Sequence, residues 1–451
     1  MRRLFPLMCS LFIVQMVLAP RVFAQTTAFV NVNVVPMASE TVLEQRTVVV
    51  ADGVIVALGS VDDVPIPKGA KVIDGTDRFL MPGLAEMHAH VPAADSDNLD
   101  RYFSLYVANG ITTVRGMLGQ ASHLGLRERL DGGSVFGPRL VTSGPSLSGR
   151  SVAGVAQARQ LVRDQHHSGY DFIKIHPGLT ADEFEAIAQT ANELGIPFAG
   201  HVPVATGVAR ALQLNMATID HLDGYFAALL PARSDGSGGY GGFFDVMLAA
   251  EVEVERIADI ARATAAAGTW NVPTQILIEV RINATPVDEL RNRQGMQYMP
   301  QATVEHWVAA KTAVLAERDF DPEVAARATE LRRRLILELH RAGAGLLLGS
   351  DSPQVFNVPG FSTHRELGAL VAAGLTPYEA LRTGTAAVAE FLGSNTGAVA
   401  AGREADLVLL NANPLEDIQH AQRIHGVMLH GTWYTSAVLH ERLERYRNPG
   451  N

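Results

Sequence analysis

Between residues 26 and 80, apolar and polar positions alternate with the period of two that an extended strand imposes, one face inward and the next outward. Ala28–Val35 alternates, Arg46–Ala51 is β-branched, Asp52-Gly53 is a two-residue hairpin turn, and Val54–Leu58 pairs back. Lys71-Val-Ile-Asp before Gly75, and Arg78–Met81 before Pro82-Gly83, repeat the pattern. The chain's end matches in style, with Ala405–Leu410, Ile424–Leu429 and Gly431–Tyr434. Two β-rich ends around a different middle predict a small β-sandwich assembled from residues 25–82 and 396–451.

The middle, residues 83–395, alternates strand and helix. Strands are predicted at Leu84–Met87, Thr112–Arg115, Arg139–Thr142, Phe172–Ile175, Phe198–His201, Thr218–His221, Trp270–Pro273 and Leu346–Gly349. Helical patterns lie between them, such as Ala181–Leu194, opened by Thr180 as N-cap with Glu183 three residues on. Strands alternating with helices in this way imply an α/β fold, a (β/α)₈ TIM barrel. Two segments interrupt the rhythm. Ser234–Gly242 is rich in Gly and Ser and reads as a mobile loop. Asp288–Leu339 is helical and charged, part of an insertion over about 281–340 that reads equally as a lid over the barrel mouth or a surface excursion.

Composition adds a compartment. Arg2 and Arg3, the apolar run Leu4–Ala19 and the small-residue site Val22-Phe23-Ala24 make residues 1–24 a secretory signal peptide, which predicts a periplasmic or secreted protein. Pro6, Ser10 and Gln15 interrupt the run and argue against an uncleaved anchor. Met8 and the early position argue against lipidation at Cys9. No other segment is long and apolar enough to cross a membrane, so no stable membrane insertion is expected after cleavage. Cys9 is the only cysteine, so the mature chain forms no disulfide and any metal is held by nitrogen and oxygen ligands. Losing Arg2, Arg3 and Arg21 moves the formal net charge from −10 to −13, which argues against nucleic acid as a partner and leaves a small-molecule substrate. Homo-oligomerisation is left open.

Candidate chemistry gathers at the predicted strand ends, where barrel enzymes carry their reactive groups. Met87-His-Ala-His ends strand one and aims His88 and His90 into one space, both imidazoles falling on the same side of an extended backbone. Lys174 lies in strand four, His201 ends strand five, His221 ends strand six, and Asp351 follows strand eight in Leu348-Gly-Ser-Asp-Ser-Pro.

With Met81-Pro-Gly-Leu before the His pair and Gly402-Arg-Glu-Ala-Asp-Leu-Val-Leu near the end, this set resembles the amidohydrolase superfamily over essentially the whole mature chain. It looks closest to the imidazolonepropionase-like and Xaa-Pro or aryl dipeptidase-like branch. The resemblance implies a zinc-type binuclear centre: His88, His90 and Asp351 on the more buried ion, His201 and His221 on the second, and carboxylated Lys174 bridging the two. A bare ammonium on a barrel strand repels a cation, whereas a carbamate is a two-oxygen anion able to hold divalent ions roughly 3.5–4 Å apart. Asp351 is then expected to take the proton from an activated hydroxide and return it to the leaving nitrogen.

The implied activity is hydrolysis of a carbon–nitrogen bond in a dipeptide, N-acyl amino acid or cyclic amide. Lactone or phosphoester hydrolysis on the same centre stays open. A mononuclear deaminase expects Glu three residues past the strand-five histidine, where this chain has Val204. A non-catalytic binding protein would have lost ligands, and none is missing. Lesser candidates are Tyr225, as a substrate-binding hydroxyl toward a developing oxyanion, and Arg115, toward a substrate carboxylate or in a structural salt bridge. His176 reads as a supporting or structural residue, and Thr363-x-x-Glu366 as a capping box around His364. His166, His167, His306 and His340 show no partner pattern.

Overall fold

The computed structural model describes residues 26–231 and 243–448; the signal-peptide and Ser234–Gly242 readings lie outside them. Among the described residues, fifteen strands run in chain order. The first five are β1 (Thr27–Val34), β2 (Leu43–Ala51), β3 (Val54–Ser60), β4 (Lys71–Asp74) and β5 (Phe79–Pro82). The middle seven are β6 (Leu84–Ala89), β7 (Ile111–Gly116), β8 (Arg139–Thr142), β9 (Ile173–Ile175), β10 (Phe198–Gly200), β11 (Thr218–Asp220) and β12 (Trp270–Val272). The last three are β13 (Leu407–Leu410), β14 (Ile424–Leu429) and β15 (Thr432–Thr435).

The two chain ends join in a single eight-stranded sheet of order β15-β14-β13-β5-β1-β2-β3, with β4 also paired to β1. The seam is β5 against β13, antiparallel, with Leu80 opposite Leu409. Asp52 and Gly53 both take positive φ, as the two-residue hairpin turn between β2 and β3 requires. The period of two sorts β13 cleanly: Leu407 and Leu409 pack with Phe29, Val48 and Trp433, while Val408 and Leu410 join the core shared with the helical layer.

The middle is a TIM-barrel-like α/β arrangement. Strands β6-β7-β8 and β9-β10-β11-β12 are two parallel sheets. Isolated parallel bridges Ser143↔Phe172 and Leu147↔Ile175 link β8 to β9. The eighth expected strand is not a regular ladder. Segment 346–352 runs between β12 and β6, bridging Leu346 to Asn271 and Ser352 to Ala89. Leu347 N donates to Asn271 O and Leu348 O accepts from Met87 N, main chain to main chain, whereas Ser350 turns to side chains, its N donating to Glu86 Oε1 and its O accepting from Asn357 Nδ2.

The helix Ala181–Leu194 carries the predicted capping box between Thr180 and Glu183. The stretch expected as an insertion divides in two. Its second half is the helix Pro322–Arg341, a member of the outer layer, whose Arg332 donates to His221 O (2.7 Å) and Pro273 O (2.8 Å). The first half packs Leu290, Met296, Tyr298 and Trp307 with Leu105 and Phe356, a satellite core beside the barrel. Among the described residues, no helix is long and apolar enough to cross a membrane.

Candidate metal centre

All six expected ligands line one cavity of about 270 Å³: His88, His90, Lys174, His201, His221 and Asp351. His88 and His90 come from the end of β6, Lys174 from within β9, His201 and His221 from just past β10 and β11, and Asp351 from segment 346–352, all toward the end on which parallel barrels present loops rather than tight packing. His221 and Asp351 both sit at positive φ (63° and 59°), so the backbone turns sharply where each side chain is delivered. Gly200 is needed beside them. A Cβ there would stand 2.5 Å from Ile175 O and 2.8 Å from Lys174 Cδ, so glycine leaves the channel along which the lysine reaches inward.

The distances are short. His90 Nε2 lies 3.0 Å and His88 Nε2 3.7 Å from Asp351 Oδ1, and His221 Nδ1 lies 3.8 Å from Asp351 Oδ2. One donor atom from each of His88, His221 and Asp351 falls within 4.8 Å of the others. The rings of His201 and His221 are 4.8 Å apart.

Burial holds His88 and His221 well below the ordinary imidazole range and His90 at about 3, with the Lys174 charge adding to the effect, so these rings are neutral and able to donate a lone pair. Burial lifts Asp351 to about 7. Lys174 is 2% exposed, so its amine does not snorkel to water; burial lowers it against the pull of Asp220 and Asp351. Lys174 Nζ and Asp351 Oδ1 are both buried without a hydrogen-bond partner. A buried amine left unmet beside a carboxyl group and neutral imidazoles makes an expensive arrangement that a divalent cation and a carboxylated lysine would relieve. The donor set fits a metal.

Outside the ligands lies a support that the sequence reading missed. Asp220 Oδ2 stands 2.8 Å from His88 Nδ1, and the same carboxylate accepts from Thr218 Oγ1 (2.6 Å) and Arg115 Nη2 (3.3 Å). An acid on a fully buried strand was the signal available for it. Glu86, held near 7 by burial, accepts from His88 N, Ser350 N, Ser350 Oγ and Thr363 Oγ1, tying strand one to the segment that carries Asp351. His221 Nδ1 is 2.8 Å from Thr274 Oγ1, and His201 Nδ1 is 3.1 Å from Asp223 Oδ2.

Other expectations resolve differently. Tyr225 is not brought to the site: its side chain is fully buried, and its hydroxyl donates to Asn271 Oδ1 (2.8 Å) and meets Thr264 Oγ1 (3.0 Å). It packs between strand and helix and is dropped as a substrate contact. Arg115 takes the structural role, donating to Met87 O and pairing with Asp220. Thr363 and Glu366 form no capping box, because their helix begins at Phe361 without a side-chain cap. Glu366 instead accepts from Gln275 N and Ile276 N, satisfying the start of a different helix, Gln275–Ile282. His364 is buried and bonded to Asn109 O. His176 lines the cavity edge-on to His201. Among the histidines without a predicted partner, His340 pairs with Glu379 far from this cavity.

The rest of the wall, also unforeseen, is Met117, Leu118, Pro177, Phe243, Phe244, Leu277, Arg281 and Gln354, whose Nε2 lies 3.2 Å from His90 Nδ1. A wider cleft of about 700 Å³ adjoins it, sharing His201, Phe243 and Phe244 and adding Val204, Asp223 and Asp245.

Comparison with known proteins supplies the family. The amidohydrolase family model matches residues 79–434. The chain is 25% identical over 417 residues to ochratoxinase of Aspergillus niger, covering 85% of this chain and 81% of that protein. A bottromycin amidohydrolase structure matches with a TM-score of 0.71 at 25% identity, over 93% of this chain and 90% of that one. A putative prolidase from Bifidobacterium longum shares the fold (TM-score 0.67, 23% identity, 94% and 99% covered).

Proposed function

Since the chain belongs to the amidohydrolase family and is a hydrolase acting on carbon–nitrogen bonds, we propose that it is metal-dependent and cleaves the amide of a dipeptide or N-acyl amino acid. The observation that carries this reading is Lys174 Nζ, buried without a hydrogen-bond partner inside a cavity ringed by His88, His90, His201, His221 and Asp351.

In this reading His88, His90 and Asp351 hold one ion, His201 and His221 a second, and carboxylated Lys174 joins them; zinc suits the set. Bound there, the ions would supply Lewis acidity and a water of lowered pKa. The chain's own residues do the rest. Asp220 and Asp223 fix the ring orientations of His88 and His201. Asp351 takes a proton from the attacking water and hands it to the leaving nitrogen. Phe243, Phe244 and Leu277 exclude bulk water from the reacting amide.

Around that centre we read residues 83–395 as a closed barrel and the sheet from both chain ends as a β-sandwich appended to it. The basic, apolar start of the chain supports export to the periplasm or medium. Metal analysis of purified protein beside Lys174→Ala tests the centre. About two equivalents falling sharply in the variant is the expected result. One equivalent untouched by the substitution would rule out the bridged pair.

A further inference from the structure

Once the histidines, Lys174 and Asp351 are assigned to the metal, the remaining cavity wall has a definite chemistry. Phe243, Phe244 and Leu277 are apolar, and Arg281 is the one arginine among the described residues of that wall. Leu277 and Arg281 stand four residues apart on the helix Gln275–Ile282 and so share a face.

That helix is held at both ends from elsewhere in the chain. Glu366 accepts its first free N–H groups (Gln275 N, 2.8 Å; Ile276 N, 2.7 Å). At the other end the buried Lys311 ammonium donates to Val280 O (2.6 Å) and Asn283 O (2.8 Å). A residue on so fixed a helix is placed, not merely tethered.

The Arg281 guanidinium lies 4.4 Å from the centre of the Phe243 ring, a stacked contact that leaves in-plane N–H groups for a ligand. Its Nε is buried and has no hydrogen-bond partner. Glu317 is the acid whose field reaches it. Arginine stays charged at any working pH, and a buried donor of this kind is costly until an anion meets it.

We infer that Arg281 binds a carboxylate of the substrate, so the enzyme cleaves N-acylated amino acids or peptides beside a free carboxylate, with an apolar side chain against Phe243, Phe244 and Leu277. The inference rests on the carbon–nitrogen hydrolase reading for the bond cleaved, though not for the recognition. A cyclic amide or lactone without an acidic group leaves Arg281 unmet.

Two compound pairs separate these elements. N-acetyl-L-phenylalanine and N-acetyl-2-phenylethylamine differ only in the carboxylate and report turnover. Their N-methylsulfonyl counterparts resist hydrolysis and report binding to the purified protein by calorimetry. Wild type should favour the acid by about 100-fold in kcat/KM and similarly in Kd, the scale of a desolvated charge-assisted pair. In Arg281→Met both ratios should fall to within about three-fold of one, and Arg281→Lys should recover only part, because an ammonium lacks the planar fork. Equal binding of both sulfonamides by wild type overturns the inference. So does an acid preference that survives Arg281→Met, since the carboxylate would then sit elsewhere. If wild type hydrolyses neither acetyl compound, the carbon–nitrogen reading fails for this class, while the sulfonamide ratio still decides Arg281.

Discussion

Removing Asp220 should damage the protein in a way that removing its partner as well repairs. Asp220 is fully buried and takes three contacts, from His88, Arg115 and Thr218. Arg115 is itself 1% exposed, so in Asp220→Leu its guanidinium is left in the barrel interior with only neutral acceptors, Met87 O and Thr218 Oγ1. Breaking one side of such a pair costs about 3–5 kcal/mol, whereas replacing both charges by apolar groups of similar volume is often near neutral. Asp220→Leu and Arg115→Met should each lower stability by about 3–5 kcal/mol, and the double variant by no more than about 2 kcal/mol. Urea denaturation of metal-free protein reads this without interference from metal binding. His88 also loses its acceptor in both the Asp220 variant and the double variant, so these two should show metal affinity reduced by about 10–100-fold, and Arg115→Met far less. Single-variant costs that simply add in the double variant would refute the argument. So would an affinity loss in Arg115→Met as large as that in Asp220→Leu.

Three further outcomes follow from particular contacts. Tyr225→Phe should cost about 1–2 kcal/mol, because Asn271 Oδ1 loses its donor, and leave kcat/KM within about two-fold; a larger kinetic loss would return the tyrosine to the site. Lys311→Met strands the Val280 and Asn283 carbonyls and should destabilise by about 2–4 kcal/mol while raising KM more than it lowers kcat, since the helix bearing Arg281 loses its anchor; unchanged KM would separate the anchor from the cavity. Burial raises the Glu366 carboxyl from 4.5 to about 8. Its folded-state pKa lies above the unfolded one, so the stability it contributes is full below pH 4.5 and lost as pH rises to about 8. Glu366→Gln should therefore gain on wild type across that window in denaturation curves, and a wild-type-to-variant difference constant with pH would contradict the assignment.

The sequence carried the parts of this molecule that periodicity and strand-end chemistry determine. Alternation located β1 to β4 and β13 to β15, and a His pair, a Lys, two further His and an Asp at the ends of predicted strands converge in one cavity. What stayed hidden depends on tertiary proximity. Glu366 follows Thr363 at capping-box spacing, yet its carboxylate caps the helix at Gln275, because only the folded barrel brings those N–H groups near. Tyr225 has the right distance in sequence from His221, but a short helix turns it into the outer layer. Arg281 and Phe243 lie outside any motif: the anchored helix Gln275–Ile282 brings Arg281 to the cavity, and Phe243 comes from the separate segment Phe243–Ala250. The eighth strand had strand-like apolarity, and Leu347 and Leu348 do bond to the main chain of Asn271 and Met87, but at Ser350 the side chains of Glu86 and Asn357 take over the hydrogen bonds.

The seam between β5 and β13 sets an order of events in synthesis. Strands β1 to β5 are made first, and their sheet stays open along β5 until the residues around Leu409 have been made. An unpaired apolar edge of this kind recruits other chains. Truncation just before β13 would therefore harm the protein by leaving its earliest-made strands without the partner that closes them, although every residue of the metal cavity would still be present.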